Sequence, residues 1–77
     1  MIDIEKIQEE IDIVKNLNIL NISDIENLKD KYLSKNGMLP YIYNLISKMK
    51  GSKSSYYLNK MLELRKSVDN KIKLFIQ

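Results

Sequence analysis

A chain of 77 residues forms one domain at most, spanning 1–77, and a single core of this size leaves a net stability of only about 3–5 kcal/mol. The chain has no cysteine and no histidine. This excludes disulfides, thiolate nucleophiles and the usual tetrahedral zinc sites, and it removes the side chain best suited to proton transfer near neutral pH. Its 44% hydrophobic and 30% charged residues are typical of a folded protein.

Charge is divided unevenly along the chain. Residues 1–30 hold eight acids and three bases, a net charge of −5, whereas residues 31–77 hold ten bases and two acids, a net charge of +8. The stretch 31–62 contains six lysines and no acid. Such a basic half can attract phosphate groups, although the acidic first half could equally neutralise it within the molecule.

The N-terminus alternates isoleucine with acids and lysine, which is not the pattern of a signal peptide. No apolar stretch approaches the roughly 20 residues that a membrane span needs. We therefore expect a cytoplasmic protein with no membrane partner.

The first two helices are predicted over residues 3–17 and 24–35. The first has a stripe of apolar residues at helical spacing, and it ends in the asparagine-rich run 16–21. Ser23 and Glu26 form a capping-box pattern at the start of the second. Gly37 is expected to end that helix with a left-handed backbone, so that Gly37→Ala destabilises the fold while Gly51→Ala is nearly neutral. The predicted stripe of the first helix is Ile4, Ile7, Ile11 and Val14.

The last two helices are predicted over residues 40–50 and 55–76. Pro40 suits the first turn of the third helix, and Ser54 or Ser55 is the expected N-cap of the fourth. The fourth carries an apolar stripe over five turns, from Tyr57 to Phe75. These patterns predict an all-α fold, an antiparallel helical hairpin or small bundle, with the long C-terminal helix antiparallel to the earlier helices. The end of that helix, namely Ile72, Leu74, Phe75 and Ile76, is expected to stay poorly covered and to cause weak self-association or docking.

The residues offer no catalytic pair of acids, no glycine-rich phosphate loop and no base for a serine nucleophile. Tyrosines and lysines alternate through the basic half, a pattern that could stack bases and contact phosphates. Tyr32 and Tyr57 are expected to be structural instead, because they fall at core spacing. Arg65 is expected to cover the core and to pair with an acid on the first helix.

The segment 31–39 reads Lys-Tyr-Leu-Ser-Lys-Asn-Gly-Met-Leu, and the last helix carries Leu-Asn-Lys at 58–60 followed by Arg65 and Lys66. Together with the order of the helices, this resembles the N-terminal helical arm of the bacterial phenylalanyl-tRNA synthetase alpha chain, whose segment has the form Tyr-Leu-Gly-Lys-Lys-Gly-x-Leu. Lys35 matches the first family lysine and Gly37 the glycine. Ser34 and Asn36 depart from it, standing where glycine and a second lysine are usual.

The resemblance implies a coiled-coil arm that contacts the elbow of tRNA(Phe) through sugar and phosphate. It also implies a parent enzyme of two alpha and two beta chains, in which this arm joins the remainder of the alpha chain. ATP, magnesium and phenylalanine would be handled by a catalytic domain absent here, and this segment would hold no cofactor of its own. The residues assigned to tRNA contact are Lys31, Lys35, Asn36, Lys48, Lys50, Lys53 and Lys60.

A small helical protein–protein interaction module is the alternative. The two hypotheses differ in whether the reading frame continues past Gln77 with the motifs of a class II synthetase core.

Overall fold

The computed structural model describes residues 3–76, which form four helices and, within that range, no strand. The helices are α1 (Ile4–Lys15), α2 (Ile22–Tyr32), α3 (Met38–Ser47) and α4 (Ser52–Ile76). This confirms the all-α fold with a long C-terminal helix. The side chain of Ile76, which was expected to be exposed, lies outside the described residues.

The helices form an up-down-up bundle whose middle helix is broken into α2 and α3. Lys60 donates to Gln8 at 2.6 Å and Lys71 to the carbonyl of Leu17 at 2.8 Å, so α1 and α4 run in the same direction. A four-residue loop turns α3 back onto α4, which makes that pair antiparallel. The long helix is thus antiparallel to α2 and α3, as expected, but parallel to α1, so the expected antiparallel packing is wrong for α1.

One apolar core fills the space between the helices. The apolar stripes predicted for α1 and α4 supply most of it, which confirms those faces; Ile4 and Ile72 are only partly buried. The buried members are Ile7, Ile11, Val14, Leu28, Tyr32, Leu39, Ile42, Ile46, Tyr57, Met61, Leu64 and Val68.

The start of α2 differs from its prediction. Its N-cap is Asn21, whose side chain accepts from the amide of Asp24 at 3.0 Å, while the Asp24 carboxylate accepts from the amide of Leu20 at 2.9 Å. The predicted Ser23–Glu26 capping box is therefore wrong. Asparagine caps as well as serine does, and the Asn21–Asp24 pair satisfies these amides two residues earlier.

The two glycines also exchange their expected roles. Gly37 is the N-cap of α3 with a φ of −77°. α2 ends at Tyr32 with Leu33 as its C-cap, and the amides of Leu33 and Ser34 both donate to the carbonyl of Lys29. Gly51 has a φ of +78°. The left-handed glycine is thus Gly51, so the left-handed backbone expected at Gly37 is wrong, and so is the expected tolerance of alanine at Gly51.

The remaining helix ends shift by a few residues. Pro40 does lie in the first turn of α3, where its missing amide costs nothing. α3 ends at Ser47 and α4 begins at Ser52, three residues before its predicted start. Ser54 and Ser55 are consequently both inside α4, so the expected N-cap is wrong. The Ser54 hydroxyl donates to the carbonyl of Gly51 at 2.8 Å.

None of the helices within residues 3–76 is long and apolar enough to cross a membrane.

Candidate nucleic-acid interface

A buried carboxylate organises the residues around Lys31. Glu10 is 2% exposed, and one of its oxygens accepts a hydrogen bond of 2.7 Å from the Tyr32 hydroxyl. Lys31 and Lys6 lie 3.2 Å and 3.3 Å from its two oxygens. Lys31 also stands over the Tyr32 ring. These contacts fasten the end of α2 to the middle of α1.

The contacts change how these groups titrate. Burial raises the pKa of Glu10, but the hydrogen bonds from Tyr32, Lys31 and Lys6 outweigh it, and the net pKa lies below its ordinary value. Burial, together with the hydrogen bond to Glu10, raises the pKa of Tyr32. Glu10 is therefore ionised and Tyr32 protonated at neutral pH. Lys31 is consequently a structural ion-pair partner, which weakens its assignment to tRNA contact.

Lys60 is held inside the bundle as well. Its ammonium lies 2.6 Å from the Gln8 side-chain oxygen and 3.4 Å from a carboxylate oxygen of Glu63. Its side chain is only 25% exposed. Lys60 thus links α4 to α1 and presents little charge to a partner.

The other assigned residues face solvent at the two ends of α3. Lys35 and Asn36 lie in the α2–α3 turn, while Lys48, Lys50 and Lys53 lie at the α3–α4 loop and the start of α4. Among the described residues, none of these four lysines is within ion-pair distance of an acid. Lys53 stands 5.9 Å over the Tyr57 ring. We call these four lysines the free lysines.

The outer face of α3 joins Lys35 to the other three free lysines. A helix of this length separates its ends by roughly 15 Å. Tyr41, Asn44 and Lys48 follow one another at spacings of three and four, so they share a face, and all three are exposed. A shallow groove of about 220 Å³ at the near end of this face is lined by Lys35, Asn36, Gly37, Pro40, Tyr41 and Asn44.

Among the described residues, the acidic half of the chain forms no ion pair with the free lysines. Glu10 is buried, Asp3 and Asp24 bond to amides at the starts of α1 and α2, and Asp12 accepts from Gln8. α1 packs mainly against α4. The other acids of this half are exposed, namely Glu5, Glu9, Glu26 and Asp30. Ion pairing with the acidic half therefore engages Lys31 but none of the free lysines.

Of the expectations for the two core tyrosines and for the partner of Arg65, the first is confirmed and the second is wrong. Tyr32 and Tyr57 are buried in the core, which confirms their structural role. Arg65 does not pair with α1: its guanidinium nitrogen Nε lies 3.9 Å from Asp69, one turn further along α4. Because α4 presents Arg65 away from α1, an acid on its own helix is the nearer partner.

Sequence reasoning missed Glu10 as an organising residue. Glu9 and Glu10 are adjacent and chemically identical, but Glu10 lies three residues after Ile7 and four before Val14. That spacing places Glu10 on the buried face of α1, and it is the signal that could have identified it.

Comparison of the chain with protein-family models, curated proteins and solved structures found no match. The likeness to the synthetase arm thus stands on the segment 31–39 and on the order of the helices.

Proposed function

We propose that this chain is the tRNA-binding N-terminal arm of a phenylalanyl-tRNA synthetase alpha chain and that it holds tRNA(Phe) by its sugar-phosphate backbone. The observation that carries the proposal is the exposure of Lys35, Lys48, Lys50 and Lys53 at the two ends of one helix, where no described acid lies within ion-pair distance of them. The resemblance of segment 31–39 supports the choice of tRNA among nucleic acids.

The chemistry of this surface is electrostatic. Lysine is a flexible point charge that contacts phosphate without reading bases. Lys35 lies roughly 15 Å from the three lysines at the other end of α3, so the two positions can bind separate stretches of one folded RNA backbone. Such contacts position the RNA, and the isolated chain should accordingly bind other tRNAs nearly as well as tRNA(Phe).

Aminoacylation would belong to the parent enzyme. ATP, magnesium and phenylalanine would be bound by the remainder of the alpha chain, in a cytoplasmic assembly with the beta chain. This segment contributes no catalytic group to the reaction; its role is to raise the local concentration of correctly oriented tRNA.

The proposal is tested by titrating a fluorescently labelled tRNA(Phe) transcript with the chain at several salt concentrations. Four phosphate contacts predict that log affinity falls against log salt with a slope of about −3 to −4, because each neutralised phosphate releases counterions. A flat response, or no binding at low salt, contradicts the proposal.

The alternative, a protein–protein interaction module, is favoured by a different surface. Leu20 is 81% exposed and Leu74 69% exposed, and both lie near the α1–α2 loop at the far end of α4. An apolar partner bound there would show little dependence on salt.

A further inference from the structure

The break between α2 and α3 leaves a second and larger groove, which the lysine surface does not include. It encloses about 500 Å³, within the roughly 300–1,000 Å³ of small-molecule sites. Leu39 and Pro40 of α3 line one side, and Met61 of α4 lines the other, with Leu33 at the end of α2. Leu39 and Met61 are buried, so the floor of the groove is apolar.

Two flat side chains stand on opposite sides of this floor. Tyr43, 58% exposed, projects from α3. Arg65, whose side chain is 64% exposed, lies on α4 and has a single long contact of 3.9 Å to Asp69. An exposed pair at that distance holds the guanidinium only weakly. The planar face of Arg65 is therefore available to stack.

We infer that this groove binds one unpaired nucleobase of the RNA. Unpaired bases in RNA loops stack on tyrosine rings and on arginine guanidinium planes, and their edges form hydrogen bonds with nearby polar groups. Here Tyr43 and Arg65 supply the stacking faces, Leu39 and Met61 the apolar floor, and the Asp69 carboxylate an acceptor for an amino or ring N–H group on the base edge.

The inference rests on the proposed function and deepens it. Pro40 lines both this groove and the shallow groove of Lys35 and Asn36, so the two lie side by side. A nucleotide whose base entered the larger groove would leave its phosphate near Lys35. The RNA partner must then offer an unpaired base, which a continuous duplex does not.

The test compares two RNAs of the same sequence, one a hairpin with 2-aminopurine at an unpaired loop position and one a full duplex. With wild-type protein at low salt, binding should quench the fluorescence of the 2-aminopurine in the hairpin loop. Tyr43→Ala should weaken hairpin binding about tenfold, as expected for the loss of one base–aromatic stack, and leave duplex binding unchanged. Arg65→Lys, which keeps the charge but loses the plane, should weaken hairpin binding by a smaller factor.

Tyr56→Ala is the matched control, because Tyr56 is equally exposed but lies at the start of α4, away from the groove. Thermal melts of all variants check that these surface substitutions leave the fold intact. If both RNAs bind but Tyr43→Ala and Arg65→Lys behave as Tyr56→Ala does, the base site is overturned and the phosphate surface stands. If neither RNA binds wild-type protein at low salt, both proposals fail.

Discussion

At the scale of single residues, Glu10 is the buried side chain that holds together the polar contacts between α1 and the end of α2. Its carboxylate accepts from Tyr32 and faces two lysines, one on its own helix and one at the end of α2. Removing one partner of such a buried set leaves the others unpaired. The free energy of unfolding then falls by more than the intact contacts contribute to it.

We expect the Glu10 network to make stability depend on pH in acid. The pKa of Glu10 is lowered in the folded chain from its ordinary value of 4.5, so the unfolded chain takes up the proton first. The contribution is complete above pH 4.5 and is lost as the pH falls through the folded pKa. Urea unfolding from about pH 7 to pH 3 should thus show a shallower acid loss for Glu10→Gln than for wild type.

Glu9→Gln makes the same charge change one residue away, on an exposed side chain, and serves as the control. It should follow the wild-type curve. Parallel curves for Glu10→Gln and Glu9→Gln would mean that the buried network does not contribute.

Replacing either glycine with alanine should destabilise the fold, for a different reason at each position. A Cβ at Gly37 would lie 2.9 Å from the backbone carbon and oxygen of Tyr32, atoms that cannot easily move, so Gly37→Ala should cost roughly 1–3 kcal/mol. At Gly51 there is open space, but the φ of +78° makes alanine cost on the order of 1 kcal/mol.

Asparagine separates the two effects in thermal melts, because it tolerates a left-handed backbone. Gly51→Asn should recover most of the stability that Gly51→Ala loses, whereas Gly37→Asn should be no better than Gly37→Ala. Equal recovery at both positions would contradict this account of the turns.

At the scale of elements, the sequence predicts helices better than it predicts their ends. The stripe from Ile7 to Val14 and that from Tyr57 to Val68 are local patterns, and each does form a buried face. The start of α2 could not be predicted as well, because Asn21 and Ser23 are both good caps and only the surrounding fold selects between them.

The N-cap assignment predicts unequal effects of two alanine substitutions. Asn21→Ala should cost about 1 kcal/mol, since it removes the acceptor for the Asp24 amide. Ser23→Ala should be nearly neutral, because Ser23 is exposed inside the first turn. Chemical denaturation of both variants distinguishes them, and a larger loss for Ser23→Ala would restore the capping box at Ser23.

The candidate site was predictable only in part, and for a similar reason. Composition identified the basic stretch, and the structure leaves Lys35, Lys48, Lys50 and Lys53 exposed within it. Lys31 pairs with Glu10 and Lys60 with Gln8, and both partners are distant in sequence. No local pattern could therefore indicate that these two lysines already have partners within the fold. The groove beside Tyr43 likewise exists only because the middle helix breaks.

At the scale of the whole molecule, charge and apolar surface are segregated along an elongated body of 41 × 21 × 19 Å. α4 has 25 residues and is about 37 Å long, and three of the free lysines, Lys48, Lys50 and Lys53, lie toward its start. The exposed apolar side chains Leu20 and Leu74 lie toward its end. The two ends are therefore suited to different partners.

The apolar end should cause weak self-association of the isolated chain. Leu20, Ile22 and Leu74 are 81%, 61% and 69% exposed, and exposed apolar side chains that gather in one patch favour association. Sedimentation over a range of concentrations should show association of the wild-type chain. A Leu20→Ser, Leu74→Ser double variant should lose this association. The control Leu62→Ser, at a residue exposed elsewhere on α4, should retain it. A wild-type chain that stays monomeric throughout would contradict this prediction.

The central claim is that Lys48, Lys50 and Lys53 bind the RNA backbone because of where they lie, and not because of the net charge of the chain. It is tested most directly by comparing two triple variants with the same charge: Lys48, Lys50 and Lys53 to glutamine, and the exposed Lys29, Lys66 and Lys73 to glutamine. The loop variant should lower the magnitude of the salt slope for tRNA binding by about 2 to 3, while the control changes it by less than 1. Equal losses in both variants would show that position does not matter and would contradict the account.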